Sequence, residues 1–417
     1  MNKQIITFLL LFLFSAGLYA QAPKREMRAT WIATVGGIDF PKQSGAAGQK
    51  AELIKMLDSI AVLKLNTVFF QVRSRCDAMY NSAYEPWSSD LKNARGTNPG
   101  WDPLQFVIDE SHKRGIECHA WLNPYRYNNS GSDWSGANNS PLNYSQTHPD
   151  WLLYYTSIPT PYIILDPALA EVRMRIKSIV GDILSKYDVD GIIFDDYFYP
   201  YGGTTTQDAT SVTKYKPTGM DVHDWRRDNV NRMIADVYDT IQTVRPWVTF
   251  GVSPFGIWTI NTTVASREGI PLPSGITGGN MYQQIYCDPV AWLKQGTVDY
   301  ISPQLYWKIG GSQDYNTLCP WWANLSNQFG VQFYSSMGIY RYAENNPNNV
   351  GYYQNVPEFA NQALRNRSSA KDDAPGHVFY NTLAWVYDAP FRKKFKEEIF
   401  TKQALTPPIS WKPSGDQ

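Results

Sequence analysis

The sequence predicts an α/β fold of one domain, a (β/α)8 TIM barrel. A short run rich in β-branched and aromatic residues recurs eight times along the chain, each followed by a longer segment that often has helical spacing. Such alternation builds a parallel sheet, and eight strands close it into a barrel. Within the runs, polar and apolar residues alternate. One set then faces the surrounding helices and the other the barrel axis.

Residues 1–20 read as a signal peptide: Lys3, an apolar run from Ile5 to Phe14, then small residues up to Ala20. The run is too short to span a bilayer. Export to a periplasm or the cell exterior is expected, with no membrane anchor after cleavage and no Cys placed for a lipid anchor. The barrel is assigned to residues 21–400. The tail, 401–417, carries three prolines after Leu405 and leaves no room for another domain.

The eight strand runs lie near Met27–Val35, Asn66–Arg73, Glu117–Pro124, Gly191–Phe198, Val248–Phe255, Tyr300–Trp307, Gln332–Tyr340 and Val378–Trp385. Helices are expected at Gly48–Leu65, where Ile54, Leu57, Ile60 and Leu63 recur at spacing three, and at Asp102–Arg114, which opens on Asp-Pro and stops at Gly115. Pro167–Tyr187 and Asp221–Val244 are two longer ones. Three stretches, 76–100, 126–160 and 199–219, read as long loops walling a groove on one face; long loops in compact domains usually carry function. Trp258–Tyr282, rich in Gly and Thr, reads as a flexible loop.

Charge is balanced, with 38 basic and 38 acidic residues, so no basic field offers itself to nucleic acid or an anionic membrane. The chain has 15 Trp and 27 Tyr, whose flat faces with polar edges suit sugar rings. Large barrels also need large side chains, so composition alone carries only a mild preference. Cys76, Cys118, Cys287 and Cys319 form no close pair, which argues against zinc or thioredoxin-like chemistry. Cys76–Cys118 and Cys287–Cys319 are the neighbouring choices for disulfides, with Cys118 expected instead as a buried free thiol. No Gly-x-Ser-x-Gly elbow, His-Glu-x-x-His or Gly-x-Gly-x-x-Gly occurs in a fitting context, so no metal and no cofactor is expected. The expected partner is a glycan polymer, bound by a monomer.

Alternation places Gln71, Arg73, His119, Asn123, Asp195, Ser253, Gln304 and Tyr306 inside the upper barrel. Burying that many polar groups destabilises the fold unless they bond one another. A barrel interior is ordinarily apolar, and the C-terminal strand ends are where barrel active sites sit. A purely structural network is the competing explanation. Trp121, Arg126, Tyr197, Trp307 and Trp385, on the same strands or just past them, join the set as candidate substrate contacts.

The sharpest feature is Asp190-Gly-Ile-Ile-Phe-Asp195-Asp196-Tyr197, an apolar strand running straight into two carboxylates. Adjacent aspartates repel, which raises the pKa of one and makes it a proton donor; its ionised neighbour can stabilise positive charge. An acid and a second carboxylate are what glycoside hydrolysis requires. The structural alternative is that one Asp caps the loop or bonds Arg73 or His119.

These residues also carry a resemblance. Met27-Arg-Ala-Thr-Trp-Ile32, Asn66 through Arg73, His119-Ala-Trp-Leu-Asn-Pro-Tyr-Arg126, Gly191 through Pro200, Gly251-Val-Ser-Pro-Phe-Gly256 and Asp299-Tyr-Ile-Ser-Pro-Gln304 resemble the glycoside-hydrolase-like family 10 domain, formerly domain of unknown function 187. The likeness runs from about Arg25 to Phe400. It implies a barrel hydrolase of bacterial envelopes, and at least one relative acts on peptidoglycan strands stripped of their peptides. Some members add C-terminal β-sandwich modules, which this chain is expected to lack. The Asp195-Asp196 pair further resembles that of O-GlcNAcase-type barrels, in which the substrate's N-acetyl group is the nucleophile. By that likeness Asp195 orients the N-acetyl group and Asp196 is the acid. The rival is a retaining route with Asp195 as covalent nucleophile. Two other function classes stay open: hydrolysis of a dietary or host polysaccharide, and a non-catalytic glycan-binding barrel.

Overall fold

A computed structural model describes residues 23–413 apart from 129–142, 157–160, 203–205, 343–355, 371–374 and 388. The reading of 1–20 as a signal peptide therefore lies outside the described residues. The strands are β1 (Met27–Ile32), β2 (Thr67–Arg73), β3 (Glu117–Leu122), β4 (Arg126–Asn128), β5 (Leu152–Tyr155), β6 (Tyr162–Leu165), β7 (Gly191–Phe194), β8 (Thr249–Val252), β9 (Tyr300–Ile301), β10 (Gln332–Phe333), β11 (Ser335–Met337) and β12 (Gly376–Phe379). The main sheet is parallel, in the order β10-β9-β8-β7-β3-β2-β1-β12-β11. Its two end strands are halves of one chain segment, split only at Tyr334, whose N–H donates to Ile301 O at 3.0 Å. The sheet thus returns on itself as an eight-stranded barrel, with each predicted run contributing one strand. The remaining strands form a small antiparallel sheet, β4-β6-β5, just beyond β3.

Helices α1 (Ala46–Val62), α2 (Pro103–His112), α3 (Ala170–Lys186), α4 (Val222–Val244), α5 (Pro289–Gln295), α6 (Tyr315–Gln328) and α7 (Val356–Ser369) flank the barrel. Local chemistry starts and stops them. Asp102 accepts from Gln105 N ahead of Pro103, and Asp221 accepts from His223 N and Asp224 N, each satisfying donors that the first helical turn leaves open. Outward residues of the strands, such as Phe70, Val72, Cys118, Ala120, Ile192 and Phe194, pack with the helices in the larger core.

Inward residues form a second cluster along the axis: Met27, Ala29, Trp31, Phe69, Trp121, Ile193, Tyr300, Tyr334 and Val378. Large rings fill this axis because glycines face them. A Cβ at Gly251 would run into the Tyr300 ring, and one at Gly376 into the Tyr334 ring. The lower barrel is therefore a packed aromatic plug in which His119 bonds Tyr300, and the aspartates with their polar partners lie above it.

Three expectations change. Trp258–Tyr282 is ordered: Trp258 is buried, its Nε1 donates to Asp288 Oδ1 at 3.0 Å, and Thr262–Glu268 is helical behind an Asn261 cap. The last strand ends at Phe379, and the stretch 383–387 is helical instead. Neither neighbouring disulfide forms: all four cysteines are buried and free, Cys118 as expected. Among the described residues no helix is long and apolar enough to cross a membrane. The tail passes beneath the barrel, where Trp411 Nε1 donates to Asp299 Oδ1 at 2.8 Å and Lys412 pairs with Asp299 Oδ2 at 2.9 Å.

Candidate active site

β7 delivers the aspartates. Ile192 and Phe194 point to the helices and Ile193 to the axis, so period two turns Asp195 inward at the strand's C-terminal end. Asp195 and Asp196 are 4% and 3% exposed.

A chain of amides determines what Asp195 does. The backbone N–H groups of Thr34 and Val35 donate to Gln71 Oε1, both at 2.9 Å. Backbone N–H can only donate, so this end of Gln71 is its oxygen, and its Nε2 donates to Asn123 Oδ1 at 2.6 Å. Asn123 must then turn its Nδ2 toward Asp195 Oδ2. Trp121 Nε1 donates to the same oxygen at 3.0 Å, and Tyr197 N to Oδ1 at 3.4 Å. Four strands thus converge to hold Asp195 as an acceptor. Asp196 is held by different partners, the Tyr201 hydroxyl and the Gln304 side chain.

Burial is the largest influence on both carboxyls. It pushes Asp195 up to about 7, with the charge of Asp196 adding to it and Arg126, Trp121 and Tyr197 N pulling back. Asp196 is also raised, by burial against the hydrogen bonds of Tyr201 and Gln304. Two neighbouring acids of this kind titrate as a pair, so the site retains a proton near neutrality.

That retention has a measurable consequence for stability. An unfolded Asp titrates near about 3.9. Between about pH 4 and 7 the folded chain therefore holds more protons than the unfolded one, and stability falls as pH rises through that window before levelling off. Urea midpoints at pH 5, 6, 7 and 8 should drop more steeply for the wild type than for Asp195→Asn. Parallel slopes would count against the raised pair.

The remaining candidates separate by where their side chains go. Gln304 donates to Ser253 O at 3.0 Å besides contacting Asp196. Tyr306 is half-buried at the mouth, its hydroxyl 3.5 Å from Ser336 Oγ. Trp307 lies edge-on to Phe255 at 5.3 Å, and Phe255 to Tyr201 at 6.0 Å. Arg126 sits over the Tyr197 ring, 4.0 Å from its centre. Gln71, Trp121 and Asn123 reach the site by bonding Asp195 or the residue behind it.

Four candidates lead away from the mouth. Arg73 is ion-paired with Glu85 at 2.7 Å and bonds Asn123 O and Pro124 O, so its donors are spent bracing the loop after β2. His119 registers with Gly191 and bonds Tyr300 Oη at 2.9 Å; four residues before Asn123, it lies roughly 13 Å down the barrel at about 3.3 Å per residue. Ser253 Oγ donates to Ser302 O at 2.7 Å, closing its hydroxyl into the wall. Trp385 packs outside the barrel, 4.7 Å from Phe391 and 5.2 Å from Phe395. Period two from Val378 puts Tyr380, not Trp385, at the mouth, where it faces Tyr306 and Tyr340.

Tyr201, Phe255 and Tyr380 were not anticipated. Tyr201 closes the run Tyr197-Phe-Tyr-Pro-Tyr201 directly after the acids, and that signal was available. Among the described residues no group of three His, Cys, Asp or Glu side chains is placed to hold a metal ion. The mouth is therefore two buried acids ringed by tyrosine, phenylalanine and tryptophan. It can transfer protons beside a flat, apolar-faced substrate.

Comparison with known proteins agrees. The family model described as Glycosyl hydrolase-like 10 matches residues 26–354. The chain is 34% identical over 425 residues to glycosyl hydrolase YngK of Bacillus subtilis (strain 168), covering 98% of this chain and 80% of that protein. It is 37% identical over 341 residues to glycosyl hydrolase DigH of Escherichia coli (strain K12), covering 78% and 75%. Among solved structures, the catalytic domain of a β-amylase from Paenibacillus polymyxa superposes with TM-score 0.56 at 10% identity, covering 92% of this chain and 100% of that one. The PgaB (BpsB) glycoside hydrolase domain from Bordetella bronchiseptica gives 0.54 at 12%, covering 92% and 100%. At such identities the solved structures speak for the fold. The family and its named relatives support a glycosidase.

Proposed function

Given that the chain belongs to the glycosyl hydrolase-like 10 family, we propose that it hydrolyses O-glycosidic bonds in peptidoglycan glycan strands freed of their peptides, with assistance from the substrate's N-acetyl group. The observation that carries this reading is the asymmetry of the aspartate pair. Asp195 is held by three donors, two of them the Trp121 indole and the Asn123 amide on one oxygen, while Asp196 contacts the Tyr201 hydroxyl and the Gln304 side chain at the aromatic mouth.

In this reading Asp195 accepts the N–H of the N-acetyl group and turns its carbonyl oxygen toward the anomeric carbon. That oxygen forms the new bond as the glycosidic C–O bond breaks. Asp196 gives its proton to the departing oxygen, then takes one from the water that opens the cyclic intermediate. The two inversions leave the anomeric configuration retained. A covalent route would need a second carboxyl across the mouth. Among the described residues the later strands bring Gln304, Tyr306 and Tyr380 to the mouth, none of them a carboxyl, which favours the assisted route. The reading of residues 1–20 as a signal peptide puts the enzyme in the periplasm or outside the cell, acting as a monomer.

The test is incubation of the purified protein with peptide-free strands, with intact sacculi and with a glycan lacking N-acetyl groups. Products are read by mass spectrometry and the new reducing end by NMR. Release from peptide-free strands with retained configuration is expected. Better turnover of the N-acetyl-free glycan, or an inverted product, would overturn the proposal.

A further inference from the structure

Arg126 is the buried cation that the mechanism leaves unused. Its backbone is pinned from two sides: Cys76 Sγ donates to its carbonyl at 3.3 Å, and the residue pairs with Ile164 across β4 and β6. Its side chain is 6% exposed and its guanidinium stacks on the Tyr197 ring, next to the aspartates. The other buried arginines among the described residues are all ion-paired: Arg28 with Glu26, Arg73 with Glu85, Arg75 with Asp90, Arg95 with Asp77, Arg226 with Asp208 and Arg227 with Asp224. Arg126 has no carboxylate at ion-pair distance among the described residues, and its Nε has no hydrogen-bond partner.

A buried charge is ordinarily paired, because leaving water without a partner is costly. The stacking orients the planar fork, and an oriented fork matches a carboxylate with two parallel hydrogen bonds. The position lies at the mouth, within electrostatic reach of Asp195 and Asp196.

We propose that Arg126 binds a carboxylate carried by a sugar beside the cleaved bond, and so selects strands whose lactyl groups are free over strands whose lactyl groups are joined to peptide. This rests on the glycosidase reading of the site. In a peptide-free strand the lactyl group ends in a carboxylate; in a peptide-bearing strand the same carbon is an uncharged amide. A uronic acid offers the same chemistry from another source.

The experiment measures binding and cleavage separately. Binding is followed by calorimetry in the Asp196→Asn background, with Arg126 intact or changed to Met or Lys. The probes are a peptide-free wall tetrasaccharide, its lactyl methylamide and an oligouronate. With Arg126 intact, the free tetrasaccharide should bind about 30-fold more tightly than the methylamide, in the range of hydrogen bonds to charged groups. Arg126→Met should erase that ratio to about 3-fold or less, and Arg126→Lys should keep part of it. Equal binding of free acid and methylamide, no binding of either, or an equal loss on both in Arg126→Met would overturn the proposal. Tighter binding of the oligouronate would overturn the lactyl assignment. Carboxylate-dependent binding without cleavage of any probe by the wild type would uphold the anion site and sink the hydrolase reading; cleavage with no preference between acid and methylamide would do the reverse.

Discussion

With Asp196 changed to Asn, kcat on peptide-free strands falls by about 1,000-fold and KM moves little, because the lost proton donor acts only in the transition state. Asp195→Asn falls comparably for another reason. The orientation of Gln71 and Asn123 forces an N–H onto Oδ2 of residue 195. An amide there can satisfy that N–H only with its oxygen, leaving its NH2 facing the N-acetyl N–H. The two variants separate on an aryl glycoside of N-acetylglucosamine with a highly acidic leaving group, which needs no proton. Asp196→Asn should recover most of its loss on that substrate, and Asp195→Asn should not. Equal recovery would remove the distinction between acid and orienter. An inverted glycosyl azide formed by Asp195→Asn in azide would instead make Asp195 a covalent nucleophile.

The second large effect concerns stability. Arg73 and Glu85 are each 1% exposed, and Glu85 also accepts from the Tyr144 hydroxyl at 3.0 Å. The pair ties the excursion after β2 to the ends of β2 and β3. Arg73 further approaches Cys76 Sγ at 3.0 Å, the thiol that bonds Arg126 O. Glu85→Gln leaves a fully buried guanidinium without its counter-charge and should cost about 3–5 kcal/mol by urea unfolding. The double variant Arg73→Met/Glu85→Gln should lose much less than the sum of the single changes, because it removes the orphaned charge with its partner. A Glu85→Gln loss below about 1 kcal/mol would mean that water or a shifted side chain replaces the carboxylate.

The barrel was legible because its signals are local. Runs rich in β-branched and aromatic residues marked all eight strands, and Asp102 and Asp221 marked helix starts through hydrogen bonds within one turn. Gly-Ile-Ile-Phe-Asp-Asp was legible for the same reason: an apolar strand fixes which side chain turns inward, and position 195 follows from 193. The readings that failed are those that depended on distance along the barrel or on a partner far away in sequence. His119 shares the face of Asn123 but lies a layer or two beneath it. Trp385 was read from a strand that stops six residues earlier, where the chain turns into a helix. Ser253 looks identical in sequence whether its hydroxyl is open or closed onto Ser302.

Residue pattern was sufficient for the number of strands, the inward face of those that alternate, and the presence of two carboxylates at the end of the fourth, since these depend on neighbours one to four residues away. Charge pairing is different. Arg73 and Arg126 are both polar residues beside strand ends, and nothing in their flanking sequence separates them. Glu85 comes to lie against one, and among the described residues no carboxylate comes within ion-pair distance of the other. The proposed division of roles between Asp195 and Asp196 rests likewise on a relay from the end of β1 through Gln71 of β2 to Asn123, which with Trp121 meets one oxygen of Asp195 only because these strands pack beside β7. A group's protonation and its freedom to meet substrate depend on what surrounds it in space, and those surroundings are set by packing between strands far apart in the chain.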